Sequence, residues 1–367
     1  MPVAPLSSPL VPTTAAKPFV LPALADPHVH LDKALTVDQV ANPAGDLAGA
    51  IDAWLGFRAT QSADAIRERA RRAALTLLRN GTTAIRAHVD TGPDIGLRAV
   101  HALLGLREEL EGVLDLQVVA CAFLPLTGRG SADVKALAAE ALAAGADLLG
   151  GAPWLDADPA GAYDAVVELA HTAGVGLDLH VDETLDPRVF TLPALLDRVE
   201  GGFPHPVAVD HLVSLPLQDD PVRARTAERL ATAGVGVVAL PATNLYLQGR
   251  EAGALASRGL TAVRELLDAG VTVAAGGDNV RDPFNPTGRL DPLETAGLLV
   301  TAAHLSLDEA LAAVSDSARA LMGLAPSTDS VTLPASSLAD AIAAAPVDRV
   351  VERDGRVVAR TTVRVEA

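Results

Sequence analysis

The chain has 367 residues, 49% of them hydrophobic, which is enough to bury a large core as two domains or as one large α/β barrel. A net charge of −17 argues against DNA or RNA as a partner and disfavours an anionic membrane surface, since both call for clustered Lys and Arg. A single cysteine, Cys121, excludes an intramolecular disulfide and suits a cytoplasmic location.

Residues 1–16 are proline-rich and read as an N-terminal arm without the basic start of a secretory signal. No apolar run is long enough to predict a membrane span. Apolar, strand-like runs then alternate with amphipathic helical stretches. The first predicted strand is FVLPALA, 19–25, and a helix follows at 62–81, with Ser62 as its N-cap and Gly81 as its stop. Further strands are predicted at 82–90, 115–124, 147–153, 176–183, 207–215, 234–241 and 271–279. Helical stretches near 94–109, 131–144, 158–173, 188–199, 219–233 and 258–269 separate them. Eight strand-then-helix units point to an α/β fold, a (β/α)8 TIM-type barrel over 17–325. A doubly wound sheet would carry a Gly-rich phosphate turn after its first strand, where this chain has Pro27-His28-Val29-His30. Helices continue through 291–323, and a Ser/Pro-bearing link follows at 325–336. Residues 326–367 form a C-terminal segment whose hairpin, turning at Asp354-Gly355, belongs to a reduced small β-domain built from the chain ends.

In such a barrel the site is built where strands end. Five of the nine histidines fall at that face: His28 and His30 after the first strand, His88 after the second, His180 after the fifth and His211 on the sixth. Asp278 and Asn279 end the eighth. His28 and His30 share a side because strand side chains alternate. With His180 and Asp278 they make a donor set for a divalent metal such as Zn(II) or Fe(II), which would activate water. Glu183, three residues past His180, is placed to shuttle a proton, and His211 to orient or help deprotonate the water. Singly, each residue has a plainer reading: exposed strand-end histidines, an ordinary turn at Asp278, a helix-start acid at Glu183. Those readings do not explain why all of them reach one face. His88 is expected to line the pocket or bond a neighbour. Lys17, Lys33 and Lys135 are the only lysines, and none ends an inner strand. A lysine-bridged metal pair is thereby disfavoured, leaving one ion per chain.

The segments PHVHLDK, LHVDET, VDHLVSL, LPATNLYLQGR and GGDNVRDPFNPTG occur in an order that resembles the amidohydrolase superfamily, in its cytosine deaminase-like branch. That branch also holds aminotriazine N-dealkylating hydrolases. The resemblance spans roughly residues 20–325. It implies metal ligands at His28, His30, His180 and Asp278, and catalytic roles for Glu183, His211 and Asp278. It further implies hydrolytic release of ammonia or an amine from a small nitrogen heterocycle, with a homo-oligomer common among such proteins. Glu183 would protonate the ring nitrogen, and His211 and Asp278 would handle the water proton. The chain departs from cytosine deaminases at Leu124-Pro125, where they carry a glutamine, at Trp154, and at Asn279, where they carry a second acid. These changes remove polar readers, so a larger, flatter or N-alkylated substrate is expected beside Leu124, Trp154, Asn279, Phe284 and His88. The alternatives are a cyclic-amide or lactam hydrolase, and a non-catalytic ligand-binding barrel.

Overall fold

The computed structural model describes residues 18–250 and 257–363; the arm at 1–16 lies outside the described residues. The first half of the chain runs β1 (Pro18–Pro22), β2 (Leu24–Val29), α1 (Leu47–Arg58), α2 (Ala63–Arg79), β3 (Thr82–Thr91), α3 (Arg98–Glu109), β4 (Asp115–Ala122), α4 (Ser131–Ala143), β5 (Leu148–Gly151) and α5 (Pro159–Ala173). It continues through β6 (Gly176–Val181), α6 (Leu192–Glu200), β7 (Val207–His211), α7 (Asp220–Ala233), β8 (Gly236–Ala239), α8 (Pro241–Leu247), α9 (Val263–Asp268) and β9 (Val273–Ala275). Three helices follow, α10 (Pro292–Ala302), α11 (Leu307–Ala313) and α12 (Asp316–Leu321), and then β10 (Ser330–Pro334), α13 (Leu338–Ala344), β11 (Arg349–Arg353) and β12 (Arg356–Thr361).

Strands β2 to β9 pair in sequence order, all parallel, with helices outside. A single parallel bridge, Val29 to Asp278, joins the last strand to the first and makes the sheet a (β/α)8 barrel. All ten residues of β3 are buried, as expected for a parallel strand with side chains on one face and helices on the other. Ser62 caps α2 through its side chain, 3.2 Å from the Ala65 amide. Among the described residues no helix is long and apolar enough to cross a membrane.

The run read as one strand at 19–25 is two. Its first half, β1, leaves the barrel and pairs with β10, and only β2 enters the parallel sheet. The alternating exposure of β1 against the full burial of β2 is the physical difference: one lies on a half-solvated antiparallel sheet, the other inside. The stretch read as a link at 325–336 contains β10. The small sheet therefore runs β1-β10-β11-β12, built from both ends of the described chain. It is tied to the barrel by a buried pair, Arg349 Nη2 to Asp291 Oδ2 at 2.6 Å, with Arg349 also donating to the Asn80 carbonyl.

Candidate functional site

Backbone strain marks the strand ends. Asp182, His211, Leu212 and Asp278 all adopt positive φ, at 51°, 68°, 46° and 54°, a region costly for any residue with a side chain. At Asp278 this turn follows Gly276, where an added Cβ would stand 2.6 Å from the His28 carbonyl; only glycine lets the two strand ends approach so closely. The backbones then lock, His30 N donating to Asp278 O at 2.9 Å and Asp278 N to His28 O at 2.8 Å. Asp26 clamps the same junction, accepting from the amides of His28 (3.2 Å) and Gly277 (3.1 Å).

The side chains converge inside this frame. His30 Nε2 lies 3.4 Å from His28 Nε2, 3.2 Å from His180 Nε2 and 3.3 Å from Asp278 Oδ1, and His28 Nε2 lies 3.4 Å from the same oxygen. Four donors about 2.1 Å from a tetrahedral ion would stand about 3.4 Å apart, so the spacing fits a divalent metal. The chemistry fits too. Burial, then the charge of Lys33, pushes His30 well below the usual imidazole range. Burial, then the charge of His28, does the same to His180, so both lone pairs stay available. Burial opposes ionisation of Asp278, yet His28 holds it below the usual carboxylate range, and neither of its oxygens has a hydrogen-bond donor. Burial works against the charged ring, but Asp210 and Asp278 raise His28 well above the usual imidazole range; an ion at the cluster would displace the proton on Nε2 and leave the other on Nδ1, 3.0 Å from Asp210. Donor atoms of His28, His180, His211 and Asp278 also lie within 4.8 Å of one another. In His211, however, Nδ1 is 2.9 Å from the Asn244 amide nitrogen, which also reaches Glu183 Oε1 at 3.3 Å. An amide donating to both makes Nδ1 an acceptor and leaves the proton on Nε2, so His30 is the better fourth donor.

The remaining acids and bases divide by environment. Burial, with the charge of Asp278 adding to it, pushes the Glu183 carboxyl well above the usual carboxylate range. Burial pushes His211 down to about 3, so its ring is neutral near pH 7. Asp182, two residues after His180, is structural: it accepts from the Thr191 amide and hydroxyl and the Leu192 amide at the start of α6. His88 does not reach the cavity. It stacks on His28 with ring centroids 3.7 Å apart, and its Nε2 is 3.2 Å from Asp178, which Arg86 anchors.

Above the cluster opens a cavity of about 690 Å³ counted to its mouth. Its walls are aromatic and aliphatic, from Leu47, Ile51, Trp54, Leu55, Phe123, Leu155 and Phe284, with Lys33, Asp90, Glu183, His211 and Asn279 as polar groups. Phe284 and Asn279 thus lie on the wall. Leu124 packs against the core and leaves that wall to Phe123, while Trp154 lines an outer groove that shares Leu47, Ile51, Leu155 and Glu183 with the cavity. Four contributors escaped the sequence reading: α1, Phe123, Asn244 and the Lys33–Asp90 pair. For α1 a signal existed, an Asp46 N-cap before an Ala/Leu-rich run whose buried Ala50, Trp54 and Arg58 fall four residues apart.

The family model for the Amidohydrolase family matches residues 19–335. This chain belongs to the amidohydrolase family. It is accordingly a hydrolase acting on C–N bonds. It is 35% identical over 358 residues to a pterin deaminase of Rhizobium rhizogenes, covering 94% of this chain and 81% of that one. Among solved structures it resembles N-isopropylammelide isopropylaminohydrolase from Burkholderia multivorans, at 34% identity and TM-score 0.79 over 93% of this chain and 87% of that one. It also resembles 5-methylcytosine deaminase from Klebsiella pneumoniae bound to phosphonocytosine, at 25% identity and TM-score 0.85 over 96% and 89%. The eight-strand barrel read from the sequence is the fold these proteins share.

Proposed function

We propose that this amidohydrolase is a metal-dependent deaminase that removes an exocyclic amino or N-alkylamino group from a small, flat nitrogen heterocycle. The observation that carries the reading is a buried Glu183, its carboxyl pushed up by burial, beside a four-donor centre at the floor of an aromatic-walled cavity. One divalent ion, zinc or iron, held by His28, His30, His180 and Asp278 would supply an activated water and charge stabilisation at the attacked carbon. The protein's own groups do the rest. Glu183 delivers its proton to the ring nitrogen and, after recharging, helps the amine depart. Asp278, held ionised, takes the water proton. His211 offers Nε2–H as a hydrogen bond to the developing oxygen charge. Phe123, Phe284 and Trp54 give the wall aromatic surface suited to a ring, Asn279 lies on the same wall, and the Trp154 groove has room for a substituent. Leu124 and His88 act at one remove, by backing the wall and by holding His28. The likeness to a pterin deaminase and to an N-isopropylammelide hydrolase supports a substrate at least as broad as a substituted single ring. The lone buried cysteine is compatible with a cytoplasmic setting.

The test is ammonia or amine release across pterins, aminopyrimidines, aminotriazines and their N-alkyl derivatives, with metal content measured in the same preparation. Release from at least one class is the expected result. Turnover of a cyclic amide with no amine released would instead make the chain a lactam hydrolase. Ligand binding without turnover in fully loaded protein would make it a silent barrel.

A further inference from the structure

Lys33 is a buried ammonium on the wall of the cavity. Its Nζ lies 3.2 Å from Asp90 Oδ1, 3.3 Å from Asp32 Oδ1 and 3.1 Å from His30 Nδ1. Two carboxylates at that range neutralise its charge, so it is not a site for a free anion. Of these, Asp90 and His30 accept hydrogen bonds from the ammonium, while Asp32 Oδ1 is an ion-pair contact with no hydrogen bond. The His30 contact does not survive ligation of a metal through His30 Nε2. A neutral imidazole bound at Nε2 keeps its proton on Nδ1, and two donors cannot share a hydrogen bond. Metal loading therefore releases one Lys33 N–H beside the cavity.

Asp90 is the natural counterpart. Its Oδ2 is held by Trp54 Nε1 at 2.7 Å and Arg58 Nη1 at 3.0 Å, which fixes the carboxylate's orientation. Its Oδ1 receives only Lys33 and retains capacity for a second donor. Lys33 and Asp90 thus present a donor and an acceptor 3.2 Å apart on the cavity wall. Asn279, also on the wall, commits its amide nitrogen to Asp282 at 3.0 Å, and Cys121 offers only a weak thiol donor. Among the described lining residues outside the metal centre, no other pair offers both functions so firmly held.

We infer that Lys33 and Asp90 read a cyclic lactam edge of the substrate, Lys33 donating to the ring carbonyl and Asp90 accepting from the neighbouring ring N–H. The inference rests on the deaminase reading above and narrows its substrate class to amino heterocycles that carry an N–H/C=O edge. A site built around such a pair rejects an analogue that lacks the edge, because its own buried groups are then left unmatched.

The test uses the full chain loaded with zinc and four probes: pterin, isocytosine, 2-aminopteridine, which lacks the 4-oxo group and with it the ring N–H, and 3-methylpterin, whose ring N–H is blocked. Binding is read by fluorescence titration and turnover by ammonia release. Wild type is expected to bind pterin at least about 100-fold more tightly than either analogue. In Asp90→Asn the preference over 3-methylpterin, which keeps the carbonyl, should collapse to within about 5-fold; 2-aminopteridine lacks the ring N–H as well as the carbonyl, so in Lys33→Met and in Asp90→Asn the preference over it should fall at least about 5-fold and collapse fully only in the double variant, with metal content recorded for each. Equal binding of pterin and both analogues by wild type overturns the inference, and so does failure to bind either pterin or the single-ring lactam isocytosine. A preference that persists in both variants, with only overall affinity reduced, would make Lys33 a positioning residue for His30 instead. If a variant does not fold, the wild-type comparison decides alone. Lactam-selective binding without ammonia release would sink the deaminase reading and leave the edge reading standing. Ammonia release from pterin and 2-aminopteridine at equal rates would do the reverse.

Discussion

At the scale of single residues, Glu183 and Asp278 show how one pocket pushes two carboxyls in opposite directions. Both are buried, but His28 stabilises the charge on Asp278, while Glu183 has no cation in contact and feels Asp278 as a like charge. The proposed mechanism requires the acid form of Glu183, so kcat/KM should be lost as pH rises through its raised value, and a pH–rate profile on an active substrate reads this directly. Glu183→Gln should lower kcat/KM by about 100-fold or more with no change in bound metal. Equal turnover in the variant would remove Glu183 from the mechanism. His28, His30, His180, His211 and Asp278 were legible in the sequence because a strand's two-residue period and the shared rim of a barrel suffice to bring them together. Lys33 was not legible as a wall residue. It lies three residues past His30 in a turn, and only the path of that turn decides whether its ammonium faces water or Asp90.

At the scale of elements, the eight strands and their order were readable from apolar runs and intervening helices, whereas the roof of the site was not. Helix α1 interrupts the first strand-to-helix unit and sends Leu47, Ile51, Trp54 and Leu55 over the cavity. Its apolar residues are mostly only partly buried, and a buried Arg58 and an exposed Ala48 blur the periodicity that would have announced it. Its anchor is the Trp54 indole on Asp90. Burial works against the ionised form of Asp90, but Lys33 and Arg58 hold it down to about 2. That stabilisation is therefore present above the ordinary value of 3.8 and is lost as pH falls through about 2. Trp54→Phe keeps the ring and removes one charge-assisted hydrogen bond. It should cost about 1.5–3 kcal/mol by urea unfolding, and its acid loss should begin at a higher pH than in wild type. An unchanged midpoint would show that Arg58 alone fixes the carboxylate.

At the scale of the whole molecule, the small sheet and the barrel are joined through Arg349, 1% exposed, which reaches from β11 to Asp291 and the Asn80 carbonyl. Removing one partner of a buried pair leaves an uncompensated charge, so Arg349→Met should destabilise the fold by about 3–5 kcal/mol in chemical denaturation. Adding Asp291→Asn should recover part of the loss, because it removes the stranded charge and keeps a side-chain oxygen for the start of α10. No recovery would show that the carbonyl contact carries the joint. The split of β1 from β2 that creates this sheet was hidden in the sequence, where the two strands form one apolar run broken only by Pro22-Ala23.

The closing bridge between Val29 and Asp278 has a mechanical side. A barrel of eight strands has one seam where its last strand meets its first, and here His28 and His30 stand on one lip and Asp278 on the other. On the proposed ligation, an ion gripped by both lips would act as a rivet through the seam. Chelation should then be felt as hydrogen–deuterium exchange: the amides of His30 and Asp278, which stitch the lips together, should exchange faster in stripped protein, while those of β4 and β5 on the opposite wall keep their protection.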